Sequence, residues 1–163
     1  MPKREFITSA LEIADFSSKA AMGFFRGQLE ADFKADDSPV TQADKGVETL
    51  VRTYLGKHFP DHGIFGEEHG IEGADRQRMW IVDPIDGTRS FLSGYPLFGF
   101  LLGHLMDGIP EIGVIAMPAL DEVFLGIVGE GATLNGAAIH CSGQKSIDLA
   151  ILYINEGEKI FAD

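Results

Sequence analysis

Hydrophobic residues recur at helical spacing in two stretches near the start of the chain. Residues 5–26 predict an amphipathic helix, because apolar side chains return every three or four positions. Its apolar stripe consists of Phe6, Ala10, Ile13, Ala14, Ala21 and Phe25. A polar break with a proline follows at residues 34–40, and residues 41–57 predict a second helix, which Pro60 closes. The stripe of this second helix consists of Val47, Leu50, Val51, Tyr54 and Leu55.

The period of the pattern changes after residue 60. Short apolar runs follow, separated by Gly, Pro, Asp and Asn: GIFG, MWIV, LFGFLLGHL, IGVIAM and VFLGIVG. These runs predict strands of an antiparallel sheet, with hairpin turns at residues 117–123 and at Asn135-Gly136. Two helices followed by many strands predict an α+β fold, in which the helices pack on a mainly antiparallel sheet.

The end of the chain has a different character. CSGQKS, at residues 141–146, has the composition of a linker, and LAILYI at 149–154 predicts a new strand. We therefore divide the chain into a domain at 1–141 and a second segment at 142–163. We expect that segment to be a linker and the start of a truncated second domain, because a half-finished sheet exposes an apolar edge.

Composition limits the class of protein. Of the 163 residues, 45% are hydrophobic and 23% are charged, which is typical of a folded domain. No apolar run approaches the ~20 residues that span a bilayer, and the start of the chain lacks the apolar centre of a signal peptide. We therefore expect no membrane partner and a cytoplasmic location. Cys141 is the only cysteine, which agrees with a reducing compartment.

The net charge of the chain is −12, from 25 acidic and 13 basic residues. Nucleic acid is an unsuitable partner, because its phosphates are repelled by an acidic protein that has no cluster of Lys and Arg. An anionic substrate would need a cation between it and the protein, and a divalent metal ion is the simplest candidate.

Four acidic residues lie close together in the sequence at Glu67, Glu68, Asp83 and Asp86. Pro84 fixes its own φ and keeps Asp83 extended, so the segment is a stiff bend that can aim both aspartates and the Ile85 carbonyl at one volume. Carboxylates held this close repel each other unless a cation lies between them or one is protonated. Mg²⁺ prefers such hard oxygen ligands.

The residues that follow are suited to an anion. Gly87 permits close approach of the backbone, and residues 88–93 predict a short helix that Gly94 ends. The N–H groups at the start of a helix bind phosphate. Carboxylates for metal beside amides for phosphate indicate metal-assisted phosphoester chemistry.

Ordinary structural roles compete with each of these assignments. Asp-Gly is a common turn, GEE occurs in solvated loops, and Arg89 fits a surface position. Asp44 lies in TQAD, whose Thr-x-x-Asp spacing favours a capping role at the start of the second helix. The five histidines show no metal-ligand spacing.

Taken together, these segments resemble a known family. GEE followed by WIVDPIDGTRSF is similar to the two leading motifs of the inositol monophosphatase superfamily, the Mg²⁺-dependent, lithium-sensitive phosphatases of sugars and polyols. SPVTQAD at 38–44 and the hairpins at 108–136 resemble further segments of that family. The resemblance covers most of the first 140 residues. It implies the family's layered α/β sandwich, with the second layer truncated in this chain.

The resemblance also implies roles for individual residues. Glu67, Asp83 and the Ile85 carbonyl would hold a first Mg²⁺, and Asp83 with Asp86 a second. Glu67 would in addition orient the attacking water.

Further roles fall on the residues around the short helix. Thr88 would orient the water together with Glu67, and Asp44 would accept a hydrogen bond from the Thr88 hydroxyl. The amides of Gly87 and Thr88 would bind the phosphate, and the substrate-binding set would be Glu67, Ile85, Asp86, Gly87, Thr88 and Arg89. The implied reaction is in-line hydrolysis of a small phosphate monoester by metal-activated water.

Two departures from the family pattern affect the substrate. DGTRSF, with the Arg89 that follows Thr88, looks more like the histidinol-phosphate phosphatase branch than the DGTTNF of many inositol phosphatases. Histidinol phosphate is therefore the expected substrate, and inositol 1-phosphate or another sugar or nucleotide phosphate is the alternative. The family's C-terminal Trp-Asp motif has no match here, because Trp80 is the only tryptophan. An inactive metal- or phosphate-binding fragment is the alternative of a different class, and a homodimer is a further expectation from the resemblance.

Overall fold

The computed structural model of the chain describes residues 4–27, 31–33, 39–73 and 77–153. Its helices are α1 (Arg4–Phe24), α2 (Gln42–His58) and α3 (Thr88–Leu92). Its strands are β1 (Ala31–Phe33), β2 (Pro39–Thr41), β3 (Gly63–Gly66), β4 (Gly70–Glu72), β5 (Arg78–Asp86), β6 (Gly99–Met106), β7 (Ile109–Met117), β8 (Glu122–Ile127), β9 (Gly131–Leu134) and β10 (Ala137–Ile139). Residues 34–38 of the expected polar break lie outside the described residues, and residues 39 and 40 belong to β2.

One eight-stranded sheet forms the centre of the fold. Its strand order is β10-β9-β8-β7-β6-β5-β3-β4, and every neighbouring pair is antiparallel except the parallel pair of β3 and β5. Strands β1 and β2 form a separate antiparallel pair. The predicted α+β class with a mainly antiparallel sheet is therefore confirmed.

The helices α1 and α2 lie together against one face of this sheet. Helix α1 contacts β6 and β7, and α2 contacts β5. Side chains alternate along a strand, so every second residue of β7 (Ile112, Val114 and Ala116) is buried beneath the helices. Apolar residues of the opposite face are half-buried or exposed, among them Ile81, Leu101, Ile115 and Phe124.

Both predicted hairpin turns are confirmed. A turn of 3₁₀ helix at Pro118–Leu120 joins β7 to β8, and Asp121 closes it with a left-handed φ of 56°. Asn135 and Gly136 join β9 to β10 with φ values of 48° and 80°. Two consecutive left-handed residues are the geometry that favours Asn-Gly in a tight hairpin.

Two details of the predicted pattern are wrong. Leu50 is 47% exposed, because the buried stripe of α2 runs through Ala43, Asp44, Val47, Glu48, Val51 and Leu55 instead. The strand expected at 149–154 does not form over its described part, where Leu149 ends a 3₁₀ turn and residues 150–153 have no regular structure. A strand needs a neighbouring backbone, and Tyr153 is 89% exposed.

No helix among the described residues is both long and apolar enough to cross a membrane. The domain boundary at 141/142 stays a prediction. Cys141, at that boundary, is exposed and carries a free thiol.

Candidate active site

The segment that contains Glu67 and the segment that contains Asp83 and Asp86 meet at the ends of the parallel strands β3 and β5. Strand β3 pairs with β5 in parallel, with Gly66 opposite Val82. The amide of Glu67, the next residue, donates to the Val82 carbonyl at 3.2 Å. Because parallel strands end at the same edge of a sheet, this pairing places Glu67 beside Asp83.

A bulge in β5 changes the direction of its last side chains. Asp83 lies opposite Leu101 of β6, whereas Asp86 lies opposite Gly99, so β5 has one residue more than its partner over this interval. In a regular strand, residues three apart point to opposite faces. The extra residue returns Asp86 to the face of Asp83, and Pro84 is tolerated there because a bulge leaves a backbone group unpaired.

The surroundings of Asp83 oppose its ionised form. Burial is the main cause, and the negative charge of Glu67, a hydrogen bond with Glu67 and the charge of Asp86 add to it, so that the pKa of Asp83 is raised to about 8. A backbone hydrogen bond from Ile85 acts in the opposite direction. The carboxyl groups of Glu67 and Asp86 therefore both act on that of Asp83.

These residues fit a divalent cation by their chemistry. The Oδ1 atom of Asp83 is buried and has no hydrogen-bond partner within the described residues. A cation would both satisfy this atom and relieve the repulsion between the carboxylates. Within the same residues, however, no three His, Cys, Asp or Glu side chains are already gathered as a metal-binding group. Asp83 and Glu67 share a hydrogen bond with each other.

Helix α3 begins directly after these carboxylates. Gly87 precedes it with φ 85° and ψ 41°, a left-handed conformation that suits glycine. A Cβ atom at this position would lie 3.2 Å from the Leu97 carbonyl oxygen. The predicted helix at 88–93 is confirmed, since α3 spans Thr88–Leu92 and Ser93 caps it.

Asp44 joins the start of α2 to the start of α3. Its Oδ2 atom accepts from the Thr41 amide at 2.8 Å and from the Thr41 hydroxyl at 2.5 Å, which completes a capping box. Its Oδ1 atom accepts from the Thr88 hydroxyl at 3.3 Å, and that hydroxyl also lies 3.1 Å from the Ile85 carbonyl oxygen. Asp44 is 1% exposed. The capping role and the contact with Thr88 therefore coexist, one on each oxygen.

Arg89 occupies the second position of α3 and is exposed. Its role toward a substrate stays a prediction, as do the phosphate contacts of the Gly87 and Thr88 amides.

Two residues next to this site, Glu48 and Arg52, were not predicted from the sequence. Glu48 is completely buried, accepts hydrogen bonds from the amides of Glu68 and His69, and pairs with Arg52. Their spacing of four positions on a helix was the available signal, because such residues share a face. The hydrophobic pattern alone assigned that face to apolar side chains.

Comparison with known proteins shows the family of the chain. Residues 3–159 match the Inositol monophosphatase family. The chain belongs to this family. Other members share both its sequence and its fold.

A histidinol-phosphatase from Chlorobaculum parvum is 42% identical over 134 residues, which cover 82% of this chain and 52% of that protein. Inositol monophosphatase 1 from Solanum lycopersicum is 35% identical over 152 residues, covering 91% of this chain and 56% of that protein. The crystal structure of the extragenic suppressor protein suhB from Bartonella henselae superposes with a TM-score of 0.82 at 30% identity, over 86% of this chain and 55% of that one. This chain thus spans about half the length of the curated relatives it matches.

Proposed function

We propose that the chain carries the metal-binding part of a Mg²⁺-dependent phosphatase that hydrolyses a small phosphate monoester. The proximity of Glu67 and Asp86 to Asp83, whose buried Oδ1 atom has no hydrogen-bond partner among the described residues, is the observation that carries this proposal. The metal ligands are Glu67, Asp83, Asp86 and the Ile85 carbonyl, and two or more ions are expected. When bound, Mg²⁺ stabilises negative charge on the phosphate and acidifies the attacking water.

The residues of the chain orient the reacting groups. Glu67 and Thr88 hold the attacking water, and the Thr88 hydroxyl is itself directed by its hydrogen bond to the Asp44 carboxylate. The Gly87 and Thr88 amides bind the phosphate oxygens. The burial of Asp44 keeps water from competing for the carboxylate oxygen that accepts from the Thr88 hydroxyl.

Histidinol phosphate is the proposed substrate. Two relatives named histidinol-phosphatase are 42% and 41% identical to this chain, and Arg89 in DGTRSF agrees with that branch. Inositol 1-phosphate is the second candidate, because Inositol monophosphatase 1 from Solanum lycopersicum matches over 91% of the chain. A homodimer and a cytoplasmic location stay predictions.

The test measures phosphate release from histidinol phosphate and from inositol 1-phosphate, with and without Mg²⁺. We expect release only with Mg²⁺, and faster release from histidinol phosphate. Faster release from inositol 1-phosphate would contradict the proposed substrate and favour the second candidate. Mg²⁺ binding with no release from either ester would instead favour the inactive binding domain.

Substitutions of two aspartates, one in the proposed metal site and one elsewhere on the surface, test the assignment of the site. Asp86→Asn should abolish Mg²⁺-dependent release while the circular dichroism spectrum stays that of the wild type. Asp15→Asn is the matched control, since Asp15 is exposed on α1 and pairs only with the neighbouring Lys19 in the described contacts. Near-full activity of Asp86→Asn would contradict the assignment of the metal site.

A further inference from the structure

The buried carboxylate of Glu48 lies directly beneath the turn that carries Glu67. Its Oε2 atom accepts from the Glu68 amide at 2.7 Å, and its Oε1 atom accepts from the His69 amide at 3.2 Å. Both donors are backbone groups, so these bonds fix the path of the turn rather than a flexible side chain. A fully buried carboxylate with two amide donors is an ordered anchor.

Arg52 holds this anchor in place from the next turn of α2. Its Nε atom donates to Glu48 Oε1 at 2.8 Å, and its Nη2 atom donates to the Gly70 carbonyl at 2.5 Å. Its Nη1 atom donates to Glu72 at 2.8 Å. The guanidinium therefore neutralises Glu48 and also binds the far end of the same turn.

Gly66 shows how little space separates the anchor from the backbone. A Cβ atom at this position would lie 1.9 Å from Glu48 Oε1 and 2.8 Å from Arg52 Nη2. The residue before Glu67 must therefore be glycine for the carboxylate to reach the turn. On the other side, the Glu67 amide is bound to β5 through Val82.

We propose that Glu48, with Arg52, is a positioning residue that fixes the Glu67 carboxylate beside Asp83 and so sets the affinity of the site for divalent metal. The inference rests on the proposed function, because it assigns Glu67 to the metal. Glu48 and Asp44 are one helical turn apart, so α2 holds the Glu67 turn through one carboxylate and Thr88 through the other.

The test is calorimetric titration of Mg²⁺ into the purified chain. Glu48→Gln keeps the shape of the side chain but turns an NH₂ group toward one of the two amides, so the turn loses a hydrogen bond. Partners that orient metal ligands typically contribute about 10- to 100-fold in affinity, and we expect the Kd for Mg²⁺ to rise within this range. Glu72→Gln is the matched control, since it removes the other carboxylate on Arg52 without touching the turn amides, and its Kd should equal the wild-type value.

A double-mutant cycle separates positioning from general destabilisation. If Glu48 acts through Glu67, then adding Glu48→Gln to Glu67→Gln should leave the Kd of the single Glu67→Gln variant unchanged. Additive losses would overturn the inference, and so would an unchanged Kd for Glu48→Gln. If Glu48→Gln fails to fold, Arg52→Lys replaces it in the cycle, with a smaller expected rise in Kd and the same contradicting outcomes. A wild-type chain that binds no Mg²⁺ would overturn the proposed function and this inference together, whereas wild-type binding with an unaffected Glu48→Gln variant overturns the inference alone.

Discussion

Asp44 makes its capping contact and its contact with Thr88 on separate oxygens, so the proposed catalytic role can be separated from the structural one by substitution. Oδ2 holds the start of α2 through Thr41, and Oδ1 holds the Thr88 hydroxyl. In Asp44→Asn the remaining carbonyl oxygen can serve Thr41, and the NH₂ group then faces Thr88. The cap survives in part, but the Thr88 hydroxyl loses its charged acceptor.

The two losses differ in size. Weakening bonds to a buried carboxylate should reduce the free energy of unfolding by about 1 to 2 kcal/mol in Asp44→Asn. In Asp44→Asn the Thr88 hydroxyl no longer orients the attacking water. The loss of a group that directs a proton or a water in a reaction typically lowers the rate about 100-fold or more, so kcat for phosphate release should fall at least that far. Urea denaturation measures the first effect, and initial rates at saturating Mg²⁺ and substrate measure the second.

Thr41→Val is the matched variant for the cap alone. It removes the hydroxyl that completes the capping box and leaves Thr88 and Asp44 in contact, so it should cost about 1 kcal/mol of stability and little activity. If Asp44→Asn kept kcat within about threefold of the wild-type value, the assigned role in proton or water direction would be refuted. Equal losses of kcat in both variants would show that Asp44 acts on the reaction only through the stability of α2.

Three further predictions concern stability. Gly66→Ala should lower the free energy of unfolding by more than about 2 kcal/mol in urea denaturation, because the new Cβ meets Glu48, and a wild-type midpoint would contradict the close approach. Asn135→Ala should lower the free energy of unfolding by about 1 to 2 kcal/mol in the same assay, because Asn135 has a left-handed φ and its side chain is hydrogen-bonded to the backbone of Val123 and Asp121. Asn135→Asp should lower it less. Burial lowers the pKa of His104 to about 4, so the folded state resists a proton that the unfolded state accepts below about pH 6.5, and stability should fall by about 3 kcal/mol as pH drops from 6.5 to 4. His104→Gln should flatten that part of the pH profile, and an unchanged slope would show that another group titrates.

The strands and turns were predictable because their signals are local. Short apolar runs between Gly, Pro and Asp residues predicted β6 and β7, and Asn135-Gly136 predicted the last hairpin, since few other residues adopt its two left-handed conformations. The closeness of Asp83 and Asp86 was predictable for a similar reason. Pro84 and the spacing of Asp83 and Asp86 place the carboxylates within one short segment, so little tertiary information is needed to bring them together.

Other features depend on contacts that a hydrophobic pattern does not record. Leu50 is exposed while Glu48 is buried, because Glu48 finds two backbone amides and Arg52 at a distance in the sequence. The parallel pairing of β3 with β5 places Glu67 beside Asp83. Strand β4 lies between these two strands in the sequence, and the hydrophobic pattern did not indicate that they pair directly. Over its described residues, 149–153, the expected strand does not form, because apolar composition does not supply a partner for its backbone.

We propose that Glu67, Asp83 and Asp86 bind divalent metal together. Crystals of the chain soaked in Mn²⁺, with diffraction data collected at the manganese absorption edge, test this claim most directly. We predict an anomalous peak within coordination distance of the Asp83 carboxylate, with Glu67 or Asp86 as a shared ligand and the hydrogen bond between Asp83 and Glu67 replaced by metal contacts. Well-ordered carboxylates with no anomalous peak at saturating Mn²⁺, and with that hydrogen bond intact, would contradict it.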